Sequence, residues 1–354
     1  MLLFGRDLSR EVAVVAEIGV NHEGDAEAAA HMIRLAAEAG AHAVKLQTYT
    51  PERFVSAEDP ARLDRVRRFS LSKEETLTLA QVAREAGVHF FSTAVTEDVV
   101  PLIAEVADVI KIASGDLDFE PVITAAARSG KTVIISTGLG TEAEVDQAVR
   151  WVDAVGARER LVLMHCVSAY PTPMEDANVS VIPRMAARYG VPVGWSNHVI
   201  GPEACHAAVA LGAQVVEVHF TSTRENRTFH DHALSMNPEE LAALVKSVDR
   251  LKAAIGDGVK APQPSELPLR EIIRKGVMVA RDLPEGHVIT AADLMYARPA
   301  TAYSASAFEI LVGCTVAQAV TAGHRLTADH LSDPPAFNAP VADPAAPDTS
   351  TRSH

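Results

Sequence analysis

The stretch at residues 12–49, VAVVAEIGVNHEGDAEAAAHMIRLAAEAGAHAVKLQTY, reads as strand, helix and strand. Residues 12–19 and 43–49 are short apolar runs with polar endings, and the Ala-rich 26–40 between them has helical spacing. Such near-continuous apolar runs suit strands buried on both faces by surrounding helices. The pattern returns at 89–94 (HFFSTA), 108–114 (DVIKIAS), 132–138 (TVIISTG), 161–166 (LVLMHC), 192–198 (PVGWSNH) and 215–221 (VVEVHFT), with further helical stretches such as 202–212. Eight such units predict an α/β fold, a closed (β/α)8 TIM barrel. In that barrel the active site lies at the carboxyl ends of the strands. Glu17, Lys45, Gln47, Thr93, Lys111, Ser114, Ser136, His198 and His219 stand near those ends and are expected to converge on one mouth.

The 354 residues exceed the roughly 250 of a plain barrel and leave room for an appendage. The barrel is assigned to 1–255. Residues 256–270, opening GDGVKAPQPSELP, are too rich in Gly and Pro to continue a helix and form a linker. Residues 271–333 carry short strand-like pieces at 277–280, 288–290, 294–297 and 315–319, with single helical turns at 292–295 and 328–331, so a small β-rich domain is expected. Residues 334–354, nearly all Pro, Ala, Asp, Ser and Thr, are expected to be a disordered tail. Repetition is expected in the strand–helix units and not in the sequence itself.

A formal charge of −14 offers no basic stripe for nucleic acid, so any bound anion must be met by local cations. Cys166, Cys205 and Cys314 lack metal or disulfide spacing, and Cys166 reads as a small core residue. Arg6 and Asp7 interrupt the start of the chain, arguing against a signal peptide, and no apolar run reaches the length of a membrane span. A cytoplasmic protein with no membrane partner is expected.

Lys45 and Lys111 near strand ends, with the hydroxyls of Thr93, Ser114, Ser136 and Ser196 around them, suit a phosphate or similar dianion. His198 and His219 end successive strands and suit a divalent ion with positions left for water and a substrate oxygen. His22, His165 and His230 have no partner in register. Glu17, Asp116 and Asp231 are carboxylates at or just beyond strand ends, able to orient a sugar hydroxyl or act as general base to water. Asp25 and Glu27 read as helix-capping residues. Tyr170, on the Pro-rich 169–174 (AYPTPM), is placed to wall the pocket. No GxGxxG follows the first strand and no P-loop occurs.

These strand ends resemble the sialic acid synthase family at 16–24 (AEIGVNHEG), 44–48 (VKLQT), 111–116 (KIASGD), 135–138 (ISTG), 170–176 (YPTPMED), 193–198 (VGWSNH), 218–221 (VHFT) and 231–238 (DHALSMNP). The small domain resembles that family's antifreeze-like (SAF, β-clip) module at 280–286 (ARDLPEG) and 297–299 (ARP). The resemblance implies condensation of phosphoenolpyruvate with an amino-sugar aldehyde, N-acetylmannosamine or a related hexose, to give a nonulosonic (sialic-acid-like) acid and phosphate. It assigns Lys45, Thr93, Lys111, Ser114, Ser136, Ser168 and Ser196 to phosphoenolpyruvate and His198 and His219 to Mn2+ or Mg2+. Asp116 and Glu17 become the catalytic carboxylates, with Asp116 activating water, and Gln47, Tyr170, Asp231 and Glu17 face the acceptor. Arg298 is implied to reach the acceptor from the other subunit of a domain-swapped homodimer.

The chain departs from the family pattern mainly on the acceptor side. Asp116 stands where Glu is frequent, Ser168 replaces Asn, Asn197 replaces Asp, 228–232 reads TFHDH for PGPDH, and Ala300 replaces the Gly of RPG. Two other readings compete. One is a Schiff-base aldolase with Lys45 or Lys111 as nucleophile; the other is a non-catalytic scaffold that kept the fold.

Overall fold

The computed structural model describes residues 1–300 and 302–336. The expected tail at 334–354 therefore lies, from residue 337 on, outside the described residues. The chain divides into two compact units that part after Asp257.

The first unit is a closed barrel of eight parallel strands in the order β8-β1-β2-β3-β4-β5-β6-β7. They are β1 Ala13–Gly19, β2 Ala43–Thr48, β3 His89–Ala94, β4 Val109–Ile112, β5 Thr132–Ser136, β6 Leu161–His165, β7 Val193–Asn197 and β8 Val215–His219. Eight helices cover them: α1 Ala26–Glu38, α2 Lys73–Glu85, α3 Val100–Val106, α4 Glu120–Arg128, α5 Glu142–Ala154, α6 Val181–Tyr189, α7 Glu203–Ala210 and α8 Pro238–Ile255. Every residue of β1 is buried, as a strand covered on both faces must be. In α1 the buried face is Ala29, Ala30, Met32, Ile33 and Ala36, and its small side chains let the helix approach the sheet closely.

Local signals start the helices. Asp25 accepts hydrogen bonds from the backbone of Glu27 and Ala28 at the head of α1. Capping boxes open α2 (Ser72 with Glu75), α5 (Thr141 with Glu144) and α8 (Asn237 with Glu240). Between β2 and α2 the short helices Pro51–Phe54 and Pro60–Phe69 build a satellite core of Tyr49, Val55, Leu63, Val66 and Val95. Among the described residues no helix is long and apolar enough to cross a membrane.

In the second unit β9 Gly276–Val279 pairs antiparallel with β10 Leu294–Ala297 over a core that includes Val277, Val279, Leu283, Ile289, Leu311 and Leu326. The strands expected at 288–290 and 315–319 are corrected to single bridges, Val288 with Thr315 and Val316 with Leu331. The chain turns too tightly there for a ladder to lengthen. The segment expected to be a linker, 256–270, runs into a helical turn, Leu267–Leu269 followed by Arg270–Ile273. Residues 286–294 (GHVITAADL) and 323–331 (GHRLTADHL) form the same device, a 3-10 turn closed by a capping box from Thr290 or Thr327. The unit thus contains a short sequence repeat that the broader strand–helix rhythm hid.

Candidate active site

Strand register places the polar ends side by side. Glu17 on β1 lies opposite His219 on β8 and Lys45 on β2. Thr93 on β3 lies between Gln47 on β2 and Lys111 on β4. Ser196 on β7 faces Glu217 on β8. All of the site residues expected from the barrel sequence line one cavity of about 650 Å³. Arg298 belongs to the second unit, where its Nε donates to the Ile273 carbonyl.

The floor of this cavity is a set of buried charges. Lys45 Nζ lies 2.7 Å from Glu17 Oε2 and 3.6 Å from Glu217 Oε1, and it donates to Thr93 Oγ1 at 3.0 Å. Lys111 Nζ lies 3.3 Å from the same Glu217 oxygen, which also accepts from Ser196 Oγ at 3.0 Å. Burial works against every one of these charges, so the pairing decides each protonation state. Burial would raise Glu217, yet Lys111 and Lys45 outweigh it and hold the carboxyl below the usual range. Glu17 is raised by burial and by Glu217, with Lys45 opposing. Desolvation lowers Lys111 despite Glu217, whereas Glu17 and Glu217 together overcome desolvation at Lys45 and raise it.

Beside the lysines the wall consists of hydroxyls and one thiol. Gly138 N donates to Ser114 Oγ at 3.0 Å, and Ser114 Oγ lies 3.1 Å from Cys166 Sγ. A Cβ on Gly138 would stand 2.4 Å from Ser168 Oγ and 2.9 Å from Ser114 Oγ, so only glycine leaves this wall intact. Ser136 Oγ and Ser168 Oγ are buried without a hydrogen-bond partner. Unpaired buried hydroxyls are costly unless a ligand satisfies them. Two ammonium groups beside such hydroxyls can hold a compact dianion. Cys166, expected to be a small core residue, is buried, and because β6 stops at His165 it also borders the cavity.

His198 and His219 lie with ring centroids 5.3 Å apart. Burial lowers both below the usual histidine range, His219 well below with help from His198, so both are neutral near pH 7. His198 Nδ1 is 2.7 Å from the Val167 carbonyl, which fixes the proton on Nδ1 and leaves the Nε2 lone pair free. His219 Nδ1 is buried with no hydrogen-bond partner. Among the described residues no group of three or more His, Cys, Asp or Glu is arranged around a metal position. The protein's share of a divalent-ion site would be these two neutral imidazoles, and their donor chemistry fits one. Asn197, which departs from the family's Asp, accepts from Trp195 Nε1 at 3.0 Å and donates to the Val199 carbonyl at 2.7 Å, bracing the turn that carries His198.

Tyr170 covers the histidines, its ring 4.2 Å from that of His198 and 6.0 Å from that of His219. Gln47 Nε2 approaches Glu17 Oε1 at 3.4 Å. Asp116 sits in the turn after β4, raised to about 6 by burial and then by Asp118. Asp231 is buried, 3.9 Å from His219 Nδ1. The lining also includes His230 and Glu217, which the sequence pattern does not assign to the site. His230, read as unpaired, places Nδ1 2.5 Å from Asp231 Oδ1 because the loop after β8 folds back to the mouth. Glu217 stands two residues before His219, and strand alternation alone points both inward. His165 and His22 stay outside the cavity lining. His165 bonds the Ala177 carbonyl, and burial lowers His22 to about 4.

Comparison with known proteins gives the same arrangement a family. Residues 32–260 match the NeuB family and residues 274–332 match the SAF domain. An N,N'-diacetyllegionaminic acid synthase of Legionella pneumophila is 32% identical over 92% of this chain and 96% of its own. The human N-acetylneuraminate-9-phosphate synthase is 31% identical over 78% of this chain and 80% of its own. The solved N-acetylneuraminic acid synthetase of Leptospira borgpetersenii, in complex with citrate, superposes with a TM-score of 0.70 at 35% identity, covering 73% of this chain and 90% of that one.

Proposed function

This chain belongs to the NeuB family, and from that membership we propose that it condenses phosphoenolpyruvate with an amino-sugar aldehyde to give a nonulosonic acid and phosphate. The observation that carries the proposal is the pair of buried ammonium groups and unsatisfied serine hydroxyls that line the same cavity as two neutral imidazoles. Lys45, Lys111, Thr93, Ser114, Ser136, Ser168 and Ser196 hold the phosphate and carboxylate of phosphoenolpyruvate. Carbon 3 of the enol forms a bond to the aldehyde carbon, and the aldehyde oxygen takes a proton from solvent to become a hydroxyl. Water adds to carbon 2 and gives one proton to Asp116, which returns it to solvent; the new hydroxyl at carbon 2 then passes its remaining proton to the phosphate oxygen as the bond between carbon 2 and that oxygen breaks, releasing phosphate and leaving a ketone. His198 and His219 would hold Mn2+ or Mg2+, which supplies Lewis-acid polarisation of a carbonyl oxygen. Glu17, Gln47, Tyr170 and Asp231 orient the acceptor. The test is an acceptor screen with phosphoenolpyruvate, reading phosphate release and product mass. Absence of phosphate release with every amino sugar would overturn the reading.

If Asp116 takes the proton from water, its raised pKa sets the acid limb. The carboxylate is lost as pH falls through about 6, so kcat should decline below that pH. Asp116→Asn should lower kcat by about 10²–10⁴-fold and abolish that limb. An unchanged profile in the variant would assign the base elsewhere.

The resemblance also gives Arg298 to the acceptor, delivered by a second copy of the chain. Arg298→Ala should raise the acceptor KM at least about tenfold, the loss of one charge-assisted hydrogen bond, and leave the phosphoenolpyruvate KM within twofold. Mixing Arg298→Ala with Lys45→Ala protein should restore activity once subunits exchange. No recovery despite exchange would place the arginine's action within its own chain.

A further inference from the structure

Glu217 is the one carboxylate in the cavity to which the reaction scheme gives no task. Its Oε1 accepts from Ser196 Oγ at 3.0 Å and receives Lys111 Nζ at 3.3 Å and Lys45 Nζ at 3.6 Å, so three groups meet on a single oxygen. The side chain is only 6% exposed. Strand β8 hydrogen-bonds to β1 and β7 alone, whereas the two lysines stand on β2 and β4. Glu217 therefore reaches across the lumen and ties three separated parts of the barrel together.

A negative charge here opposes an anionic substrate. If attraction were all that mattered, the cavity would bind phosphoenolpyruvate better without it. Two buried ammonium groups on flexible four-carbon stems, however, repel one another and have no reason to point at a common place. Without Glu217, Lys111 would have no carboxylate within ion-pair distance, since Glu17 is the partner of Lys45. A desolvated, unpaired lysine withdraws toward water or gives up its proton, and either change removes a ligand for phosphate.

We infer that Glu217 is a positioning residue of the phosphoenolpyruvate site: braced by Ser196, its carboxylate holds the Lys45 and Lys111 ammonium groups together across the barrel so that both are in place when the substrate arrives. The inference rests on the proposed function.

Glu217→Gln keeps the shape and the Ser196 contact while removing the charge. Calorimetric titration with phosphoenolpyruvate, in parallel with steady-state kinetics, should show Kd and KM for phosphoenolpyruvate raised at least tenfold, with the acceptor KM within twofold. Glu217→Asp, which keeps the charge on a shorter arm, should show a smaller rise, and it carries the test should the Gln variant fail to fold. In a Lys111→Met background, Glu217→Gln should weaken phosphoenolpyruvate binding far less than it does in the wild type, because the group it positions is gone. Unchanged or tighter binding in Glu217→Gln, or loss of kcat with KM unaltered, would overturn the inference while wild-type binding keeps the proposed function standing. Failure of the wild-type protein to bind phosphoenolpyruvate would remove the proposed function and this inference together.

Discussion

His219→Ala should lower kcat by about three orders of magnitude or more and leave the barrel folded. Lewis-acid polarisation of a reacting oxygen contributes several kcal/mol to a transition state, and about 4 kcal/mol is a factor of about 10³ in rate. If, as proposed, the two imidazoles are the protein's share of a metal's ligands, loss of one would leave a single donor, too few to retain the ion against water. The fold should survive, because His219 Nδ1 makes no hydrogen bond whose loss would open the strand end. His198→Ala should be equally inactive but less clean, since it also releases the 2.7 Å contact with the Val167 carbonyl. Metal content after gel filtration, measured by atomic absorption on protein loaded with Mn2+, gives a readout independent of turnover. Undiminished metal content, or full activity of His219→Ala in demetallated buffer, would sink the metal assignment.

The barrel was legible in the sequence because its strands are apolar on both faces and its helices carry small buried residues at helical spacing. Residues 89–94 are a strand at the very bounds their composition suggests. Other apolar runs proved longer than their ladders. Strand β4 ends at Ile112 and β7 at Asn197, because Ser114 and His198 have already turned into the mouth. Those overshoots mark where pairing gives way to the cavity. The cavity lining was legible where a polar residue closes an apolar run, as at Ser114 and His198. It was not legible at Glu217, which lies inside the run VVEVHFT, although its parity with His219 fixes its direction. His230 depends on how the loop after β8 folds back, and no local pattern encodes that. In the second unit, pairing through single bridges leaves no period to read, so of the expected strands β9 and β10 match closely, and the turns expected at 292–295 and 328–331 appear as the 3-10 turns Ala291–Asp293 and Ala328–His330.

Lys111→Ala should cost more than the loss of one substrate contact, and this separates it from Lys45→Ala. A charge-assisted hydrogen bond to phosphate or carboxylate contributes about 1.5–3 kcal/mol, so removal of either lysine should raise the phosphoenolpyruvate KM at least about tenfold. Lys111 also stands 3.3 Å from a carboxylate held ionised, and its loss leaves Glu217 with Lys45 at 3.6 Å as its remaining cation, one already shared with Glu17. Breaking a buried pair by removing one partner costs about 3–5 kcal/mol, and the surplus negative charge then faces the incoming anion. Lys111→Ala should therefore weaken phosphoenolpyruvate binding more than Lys45→Ala, without abolishing it, and also unfold at lower temperature, whereas Lys45→Ala leaves Lys111 beside Glu217 and strands Glu17, which burial already raises to about 7 and which can take up a proton, so its melting midpoint should fall less. The aldolase alternative is tested by borohydride trapping. Desolvation lowers Lys111, as a nucleophilic lysine requires, but Glu217 opposes that lowering and favours the ammonium form. Borohydride treatment of wild-type protein with phosphoenolpyruvate and acceptor should trap nothing on Lys111, and chelation should stop phosphate release. A reduced adduct on Lys111, with chelator-resistant turnover, would replace the anion site by a Schiff-base mechanism.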